Sequence, residues 1–536
     1  MTATSLQRRT DLITASLNDW ELNKIRRGIE KESLRILPDG HLAQTPHPQS
    51  LGAALTHPSI TTDYSEALLE FITPAFTEVE QPLEYLKSIH RYVYQNIDGE
   101  KLWVNSMPCI MGGDESIPIA QYGNSNIGKM KTVYRHGLWH RYGRLMQSIA
   151  GIHYNFSVPS AFWEQLYIAE GPGVAKKENS SLQDFTSAGY FSLIRNFQRY
   201  SWLPIYLFGA SPAVCASFLR GRDHKLQTFN GHTLYSPYAT SLRMSDLGYQ
   251  NSAQSNLKIC YNDLPSYVTS LGKAMGTPYP PYQKLGIKKE GEYMQLNSNT
   301  LQIENEYYGT IRPKRTADSG ESPSQALKSR GVEYIEMRCI DLDPFSPIGI
   351  SETQARFLDL FALHCLLEDS PLIDDKEQKD VSDNQRKIVL SGRNTKQSLT
   401  IRHKTNSIKN WADELLDQMS LTAELLDKAQ STQQYSSALK TQRLKVADPN
   451  TTPSAIILNT LFDGNLSFYE FAMSKALEHE NYFKRDHIGD ETKGDPLIPS
   501  NGDFVTMSHD SIKKQKMIED ADTVTFDQFL ADYFRD

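Results

Sequence analysis

Cysteine is scarce in this chain, and its spacing excludes two classes of protein at once. The five present, Cys109, Cys215, Cys260, Cys339 and Cys365, are odd in number, widely separated and include no Cys-x-x-Cys pair. Neither a disulfide framework nor a zinc ribbon is built that way, so they read as reduced core residues of a cytoplasmic protein. No uninterrupted apolar run approaches the ~18 residues that a membrane span needs. Residues Met1 to Arg9 carry charge with no apolar segment behind them, so no secretory signal is expected. Basic tracts interleaved with aromatics are absent, and a net charge of -8 opposes general affinity for nucleic acid. Also missing are the Gly-x-x-x-x-Gly-Lys-Ser/Thr loop and a helix-opening Gly-x-Gly-x-x-Gly. A nucleotide here must therefore be held by metal ions and basic side chains.

What remains is an ordinary globular composition, 39% apolar and 22% charged, which excludes a disordered chain. At 536 residues the chain exceeds one usual core. Composition changes after Glu368, where Asp374 to Asp383 forms a solvated charge run. The expected division is a catalytic region over 1–368 and a mostly helical region over 369–536 packing on it.

Four short segments carry polar residues on strand-like runs. Gly28-Ile-Glu-Lys-Glu-Ser-Leu-Arg35 puts Glu30 and Glu32 on one face, because strand residues two apart point the same way. Leu68-Leu-Glu-Phe-Ile72 sets Glu70 among large apolar residues, with Asp63 just upstream. Gly151-Ile-His-Tyr-Asn-Phe-Ser-Val158 alternates Ile152, Tyr154, Phe156 and Val158 against His153, Asn155 and Ser157. Val332 to Cys339 sets Tyr334, Glu336 and Arg338 opposite Ile335, Met337 and Cys339. Four such strands imply a sheet with one face on a core and the other lining a cleft. The Asn155-Phe-Ser157 sequon carries no meaning inside such a strand.

Glu30, Glu32, Asp63, Glu70 and Glu336 offer hard oxygens and His153 one nitrogen, a set suited to Mg²⁺ or Mn²⁺. Arg338 is placed either to hold a phosphate beside the metal or to pair with Glu336 or Glu333. Metals, carboxylates and arginines around one cleft are the apparatus of phosphoryl transfer from ATP. Ile311-Arg-Pro-Lys-Arg315 is a basic turn, and Arg312 and Arg315 in it are either a clamp on nucleotide phosphates or solvated side chains.

Apolar spacing predicts helices over 12–25, 82–97, 131–150 and 182–219, and long amphipathic helices over 406–446. Residues 291–315 alternate like a strand. Gly171 to Ser181 is expected as a polar loop, 317–329 as a flexible loop over the cleft, and 478–520 as polar and loop-rich.

The motifs at 28–35, 61–74 and 151–157, with Tyr238 to Tyr249, Leu301 to Tyr308 and Tyr334 to Arg338, resemble the bacterial glutamate–cysteine ligase family. The resemblance is dense over about 20–365. It implies an α+β fold related to glutamine synthetase, with an antiparallel sheet curved into a half-open barrel and helices around it. It implies ATP-dependent ligation of the glutamate γ-carboxylate to the cysteine amine through a γ-glutamyl phosphate, the first step of glutathione synthesis. On that resemblance Glu30, Glu32, Asp63, Glu70, His153 and Glu336 match metal ligands, and Arg135 and Arg338 the cations that hold the transferring phosphoryl group. Tyr64, Tyr134, Leu138, Gln147, Arg243, Tyr249 and Tyr308 match an acceptor pocket, with Asn155 assigned to substrate beside them. Tyr64 stands where the family can carry phenylalanine. A cytoplasmic monomer is expected. Two readings compete: a ligase of the same fold with another acceptor amine, and a non-catalytic nucleotide- or metal-binding regulator.

Overall fold

Strand β1, Arg26–Ile36, is long enough to pair with three other strands, and it organises the molecule. In the computed structural model, which describes residues 4–108, 110–170, 181–247, 257–318, 321–485 and 495–535, it is joined by six more strands. These are β2 (Ile60–Thr62), β3 (Leu68–Ile72), β4 (Lys101–Leu102), β5 (Ile152–Ser157), β6 (Ile311–Lys314) and β7 (Tyr334–Ile340). They form one sheet in the order β6-β7-β5-β1-β3-β2, with β4 on the far end of β1. Every ladder in it is antiparallel. The protein is thus a mixed helix and sheet fold with antiparallel sheets and, among the described residues, no closed barrel.

Period-two alternation divides the sheet as the sequence predicts. Ile29, Phe71, Ile152, Tyr154, Phe156, Ile335 and Met337 share one face, and all are fully buried. Helices Glu80–Tyr94, Leu182–Tyr200 and Glu352–Leu367 lie on that side. Two charges also point into it. The Arg27 guanidinium meets Asp359 of the 352–367 helix at 2.9 Å with both side chains fully buried. Lys31 Nζ lies 2.9 Å from both Ser33 Oγ and His90 Nε2. Beyond this layer, helices Ile408–Ala429 and Gln434–Ala447 pack on the 352–367 helix. Helices Phe468–Arg485 and Asn501–Ala521 pack on the 80–94 helix.

Several expected boundaries move. The first helix is Ser5–Ala15, not 12–25, because Glu21 in the left-handed region separates two 3-10 turns ahead of β1. The 131–150 helix is Asn126–Tyr142: Ser125 caps its start and Gly143, at φ 81, stops it. Residues 182–219 hold two helices, Leu182–Tyr200 and Trp202–Phe208, and then a short strand, Ala213–Cys215, after Pro212. Of 291–315 only Glu292–Tyr293 and Ile311–Lys314 are strand, with a 3-10 turn at Glu304–Glu306. That turn lets Glu306 accept from the buried Arg141 guanidinium at 2.9 Å, a tertiary demand that alternation does not register. The expected loop at 317–329 contains a helix, Pro323–Arg330, closed by a Ser322/Gln325 capping box. Residues 478–520 are helical to Arg485 and again over Asn501–Ala521, whose start is capped by Ser500 and Asp503.

The Gly171 to Ser181 loop lies outside the described residues except for Ser181. Cys215, Cys339 and Cys365 are buried and Cys260 half-buried, with no disulfide between them, while Cys109 lies outside the described residues. No helix among the described residues is long and apolar enough to cross a membrane.

Candidate functional site

Strand register brings the polar residues together. Directly opposed partners in an antiparallel pair project to the same side. Glu30 on β1 faces His153 on β5, and Glu32 faces Glu70 on β3. Glu70 in turn faces Thr61 on β2, just ahead of Asp63. Glu336 on β7 lies between Asn155 on β5 and Arg312 on β6. One strand period therefore assembles residues that are far apart in the chain.

The result is a cavity of about 760 Å³. Glu30, Glu32, Asp63, Glu70, His153 and Glu336 all line it, with Arg135, Arg338 and Arg312. So do Tyr64, Tyr134, Leu138, Gln147, Arg243 and Tyr308. Arg315 does not: its guanidinium turns away, 3.8 Å from the exposed Glu333 carboxylate. Asn155 is not part of the lining either; its amide donates to Glu30 Oε1 at 2.9 Å and so steadies the cluster from behind. Tyr249 lies outside the described residues.

Within the cluster, Glu30 Oε2 is 3.1 Å from His153 Nδ1, and Glu32 Oε1 is 3.7 Å from His153 Nε2. Arg338 Nη1 donates to Glu336 Oε2 at 2.8 Å, and Lys314 Nζ to Glu336 Oε1 at 3.1 Å. The Gly151 N–H donates to Glu32 Oε2 at 2.7 Å. Arg243 is almost fully buried, anchored by the Arg338 carbonyl at 2.9 Å and by Asp341 at 3.7 Å. Arg135, on the 126–142 helix, donates through Nε to the Asp63 carbonyl at 2.5 Å.

Crowding of like charges separates these carboxylates. Burial, with the neighbouring charge of Asp63, pushes Glu32 up to about 8. Glu70 lies well above the usual carboxylate range, through burial and then the charges of Glu30, Asp63 and Glu32. Burial also acts to raise Glu336, but Lys314, Arg338 and His153 outweigh it and hold that group well below. Protons held among buried carboxylates mark a place where a cation is electrostatically favoured. One oxygen each of Glu30 and Glu336 and one nitrogen of His153 lie within 4.8 Å of one another. Ligands on opposite sides of Mg²⁺ stand about 4.2 Å apart, so only a small contraction is needed. Asn155 Oδ1 is buried beside them with no partner among the described residues. The donor set fits a hard divalent cation.

Some lining residues were not anticipated. Lys314 was readable, because alternation on β6 turns Arg312 and Lys314 inward and Arg315 away. Lys131 was also readable, one helical turn before Tyr134 and Arg135. Burial, then the charge of Arg135, pushes its amine down to about 8. Arg222, Ile303, Pro323 and Tyr533 also line the cavity, and no local spacing announces them.

A deep cleft where carboxylates, one imidazole and guanidinium groups converge on an antiparallel sheet defines an enzyme class that handles small charged substrates together with a cation. Comparison with known proteins narrows the class. The family model described as glutamate-cysteine ligase matches residues 11–388. The glutamate–cysteine ligase of Alcanivorax borkumensis is 56% identical over 517 residues, covering 96% of each chain. That of Pseudomonas paraeruginosa is 51% identical over 528 residues, covering 98% of this chain and 97% of its own. The crystal structure of the Francisella tularensis glutamate–cysteine ligase in complex with AMP superposes with a TM-score of 0.87 at 33% identity, covering 96% of this chain and 98% of that one. The chain belongs to the glutamate–cysteine ligase family.

Proposed function

We propose that this enzyme uses ATP to join the γ-carboxylate of glutamate to the amine of cysteine, giving γ-glutamylcysteine for glutathione synthesis. The observation that carries the reading is the convergence of five carboxylates, His153, Arg135 and Arg338 on one cavity of a chain belonging to this family. A γ-carboxylate oxygen of glutamate attacks the γ-phosphorus of ATP and ADP leaves. The cysteine amine then attacks the acyl carbon, loses a proton and expels phosphate. Bound at Glu30, Glu32, Asp63, Glu70, His153 and Glu336, Mg²⁺ or Mn²⁺ would offset the negative charge of the phosphates.

Arg338 and Arg135 grip the transferring phosphoryl oxygens, and Arg312 and Lys314 draw the other phosphates toward β6. Tyr64, Tyr134, Leu138, Gln147 and Tyr308 enclose the small acceptor, with Arg243 pairing its carboxylate. Lining residues drawn from six strands of one sheet support a sheet curved into a half-open barrel around the cavity. Residues 1–368 carry the chemistry and 369–536 buttress it. We place the enzyme in the cytoplasm as a monomer.

The test is purified enzyme with ATP, Mg²⁺, glutamate and cysteine, each omitted in turn, with ADP, phosphate and peptide measured together. ADP and γ-glutamylcysteine are expected in equal amounts. Product with another amine but not cysteine would favour a different acceptor. Nucleotide binding without ADP release would favour a regulator.

A further inference from the structure

The helix Phe526–Tyr533 comes from beyond the family-model match, yet it forms part of the cavity wall. Its position is set by contacts along its approach. Glu519 Oε1 accepts from the Asn124 N–H at 2.8 Å, and Asp522 Oδ2 accepts from the Asn126 N–H at 2.5 Å. The Asn126 amide donates to the Val524 carbonyl at 3.0 Å. Asp527 takes the Lys288 ammonium at 2.8 Å and the Tyr293 hydroxyl at 2.5 Å. Leu530 is buried against Met130 and Leu296, so the helix lies on the same 126–142 helix that presents Tyr134 and Arg135 to the site. This anchoring leaves Tyr533 at the cavity, in a lining that also includes Ile303, Pro323 and Arg312.

Among the three substrates only ATP has a large planar apolar surface. Glutamate and cysteine are small zwitterions that need charges and hydrogen bonds. Ile303, Pro323 and the Tyr533 ring provide a surface without charge, and Arg312 and Lys314 on β6 supply cations for phosphates. Tyr533 stays un-ionised at neutral pH, since burial and the charge of Glu304 push its hydroxyl up to about 12. A neutral aromatic ring stacks on a nucleobase whatever the base's hydrogen-bonding edge.

We infer that Tyr533 is a nucleotide-binding residue whose ring stacks on the base of ATP, with Ile303 and Pro323 completing an apolar rim. The inference rests on the ATP-dependent ligase reading above. It gives the 526–533 helix a part in substrate binding besides packing.

The test uses the full chain carrying Tyr533→Ala, Tyr533→Phe or Phe534→Ala. Steady-state KM for each substrate, Kd for ADP by calorimetry and Tm are measured on the same preparations. Tyr533→Ala is expected to raise KM for ATP and Kd for ADP about tenfold, as losing one base-stacking ring typically does. KM for glutamate and cysteine should stay within about twofold and Tm nearly constant. Tyr533→Phe, which keeps the ring, and Phe534→Ala, which changes the neighbouring one, should behave as the parent. An unchanged KM for ATP in Tyr533→Ala overturns the inference. So does a rise in all three KM values with a falling Tm, which is the mark of a packing role. A Phe variant as impaired as the Ala variant overturns stacking in particular. A parent enzyme that makes no ADP-coupled peptide would instead sink the ligase reading, so the two failures are distinguishable.

Discussion

Arg338 is the residue on which the phosphoryl-transfer reading turns. Its Nη1 is committed to Glu336 at 2.8 Å, while its buried Nε has no partner among the described residues. A purely structural ion pair has no need of an unused donor inside a charged cavity. Lysine keeps the charge but loses the fork. Arg338→Lys should therefore lower kcat roughly a hundredfold, with little change in KM for ATP. An Arg338→Lys protein of lowered Tm and undiminished kcat would return Arg338 to the role of an ion-pair partner. His57, away from the cavity, makes a stability prediction. Its Nδ1 accepts from the N–H groups of Ser59 at 3.1 Å and Ile60 at 2.9 Å, which requires the neutral ring. Burial pushes it down to about 4, below the ~6.5 of the unfolded chain. Between those values the unfolded state binds more protons. The stabilisation is therefore complete above about pH 6.5 and is lost as pH falls toward 4, on the order of 3 kcal/mol in all. An asparagine can accept from the residue two positions on and does not titrate. Urea unfolding of His57→Asn should show a flatter pH dependence across that window; an unchanged slope would assign the acid sensitivity elsewhere.

At the scale of elements, the turn into β5 couples two parts of the site. Gly151 donates its N–H to Glu32, and a Cβ added there would lie 2.0 Å from Arg243 Nη2. The close approach of a guanidinium, not a special backbone angle, is what requires glycine. Gly151→Ala must displace Arg243, so KM for cysteine should rise more than KM for ATP. In an Arg243→Ala background the space is already open and the same change should cost little. A double-mutant cycle should give a coupling of roughly 1 kcal/mol or more. Strict additivity would show that Gly151 and Arg243 act separately. The β6 edge makes the same point about elements: once it is a strand, Arg312 and Lys314 face the cavity and Arg315 cannot.

Across the whole molecule, the cavity-bearing sheet is fixed to its helical layer by a fully buried charge pair. Asp359 on the 352–367 helix accepts from Arg27 on β1 and, through its other oxygen, from the Tyr154 hydroxyl on β5 at 2.9 Å. Removing one partner leaves the other charge uncompensated in an apolar interior. Asp359→Ala should cost about 3–5 kcal/mol in chemical denaturation. The double change Arg27→Met with Asp359→Leu should cost much less, because no lone charge remains. Equal losses from both variants would show that packing volume, not charge, sets the penalty.

Local chemistry made much of this protein readable in one dimension. Two-residue alternation placed Glu30 with Glu32, His153 with Asn155 and Glu336 with Arg338 on polar strand faces, because side-chain direction in a strand depends only on position along it. Helical spacing located the 80–94, 408–429 and 434–447 helices for the same reason. The family motifs lie in these segments, so the ligase reading was available from residues alone. Which carboxylate meets which partner was decided only when β1 paired with β3 on one side and β5 on the other, setting Glu32 opposite Glu70 and Glu30 opposite His153. The turn at Glu304–Glu306 yielded strand alternation to a buried Arg141. The helix that carries Tyr533 to the cavity is held by Glu519, Asp522, Asp527 and Leu530 against partners remote in sequence. Such choices are sums of many weak long-range contacts whose free energies no local window contains, so they belong to the tertiary structure.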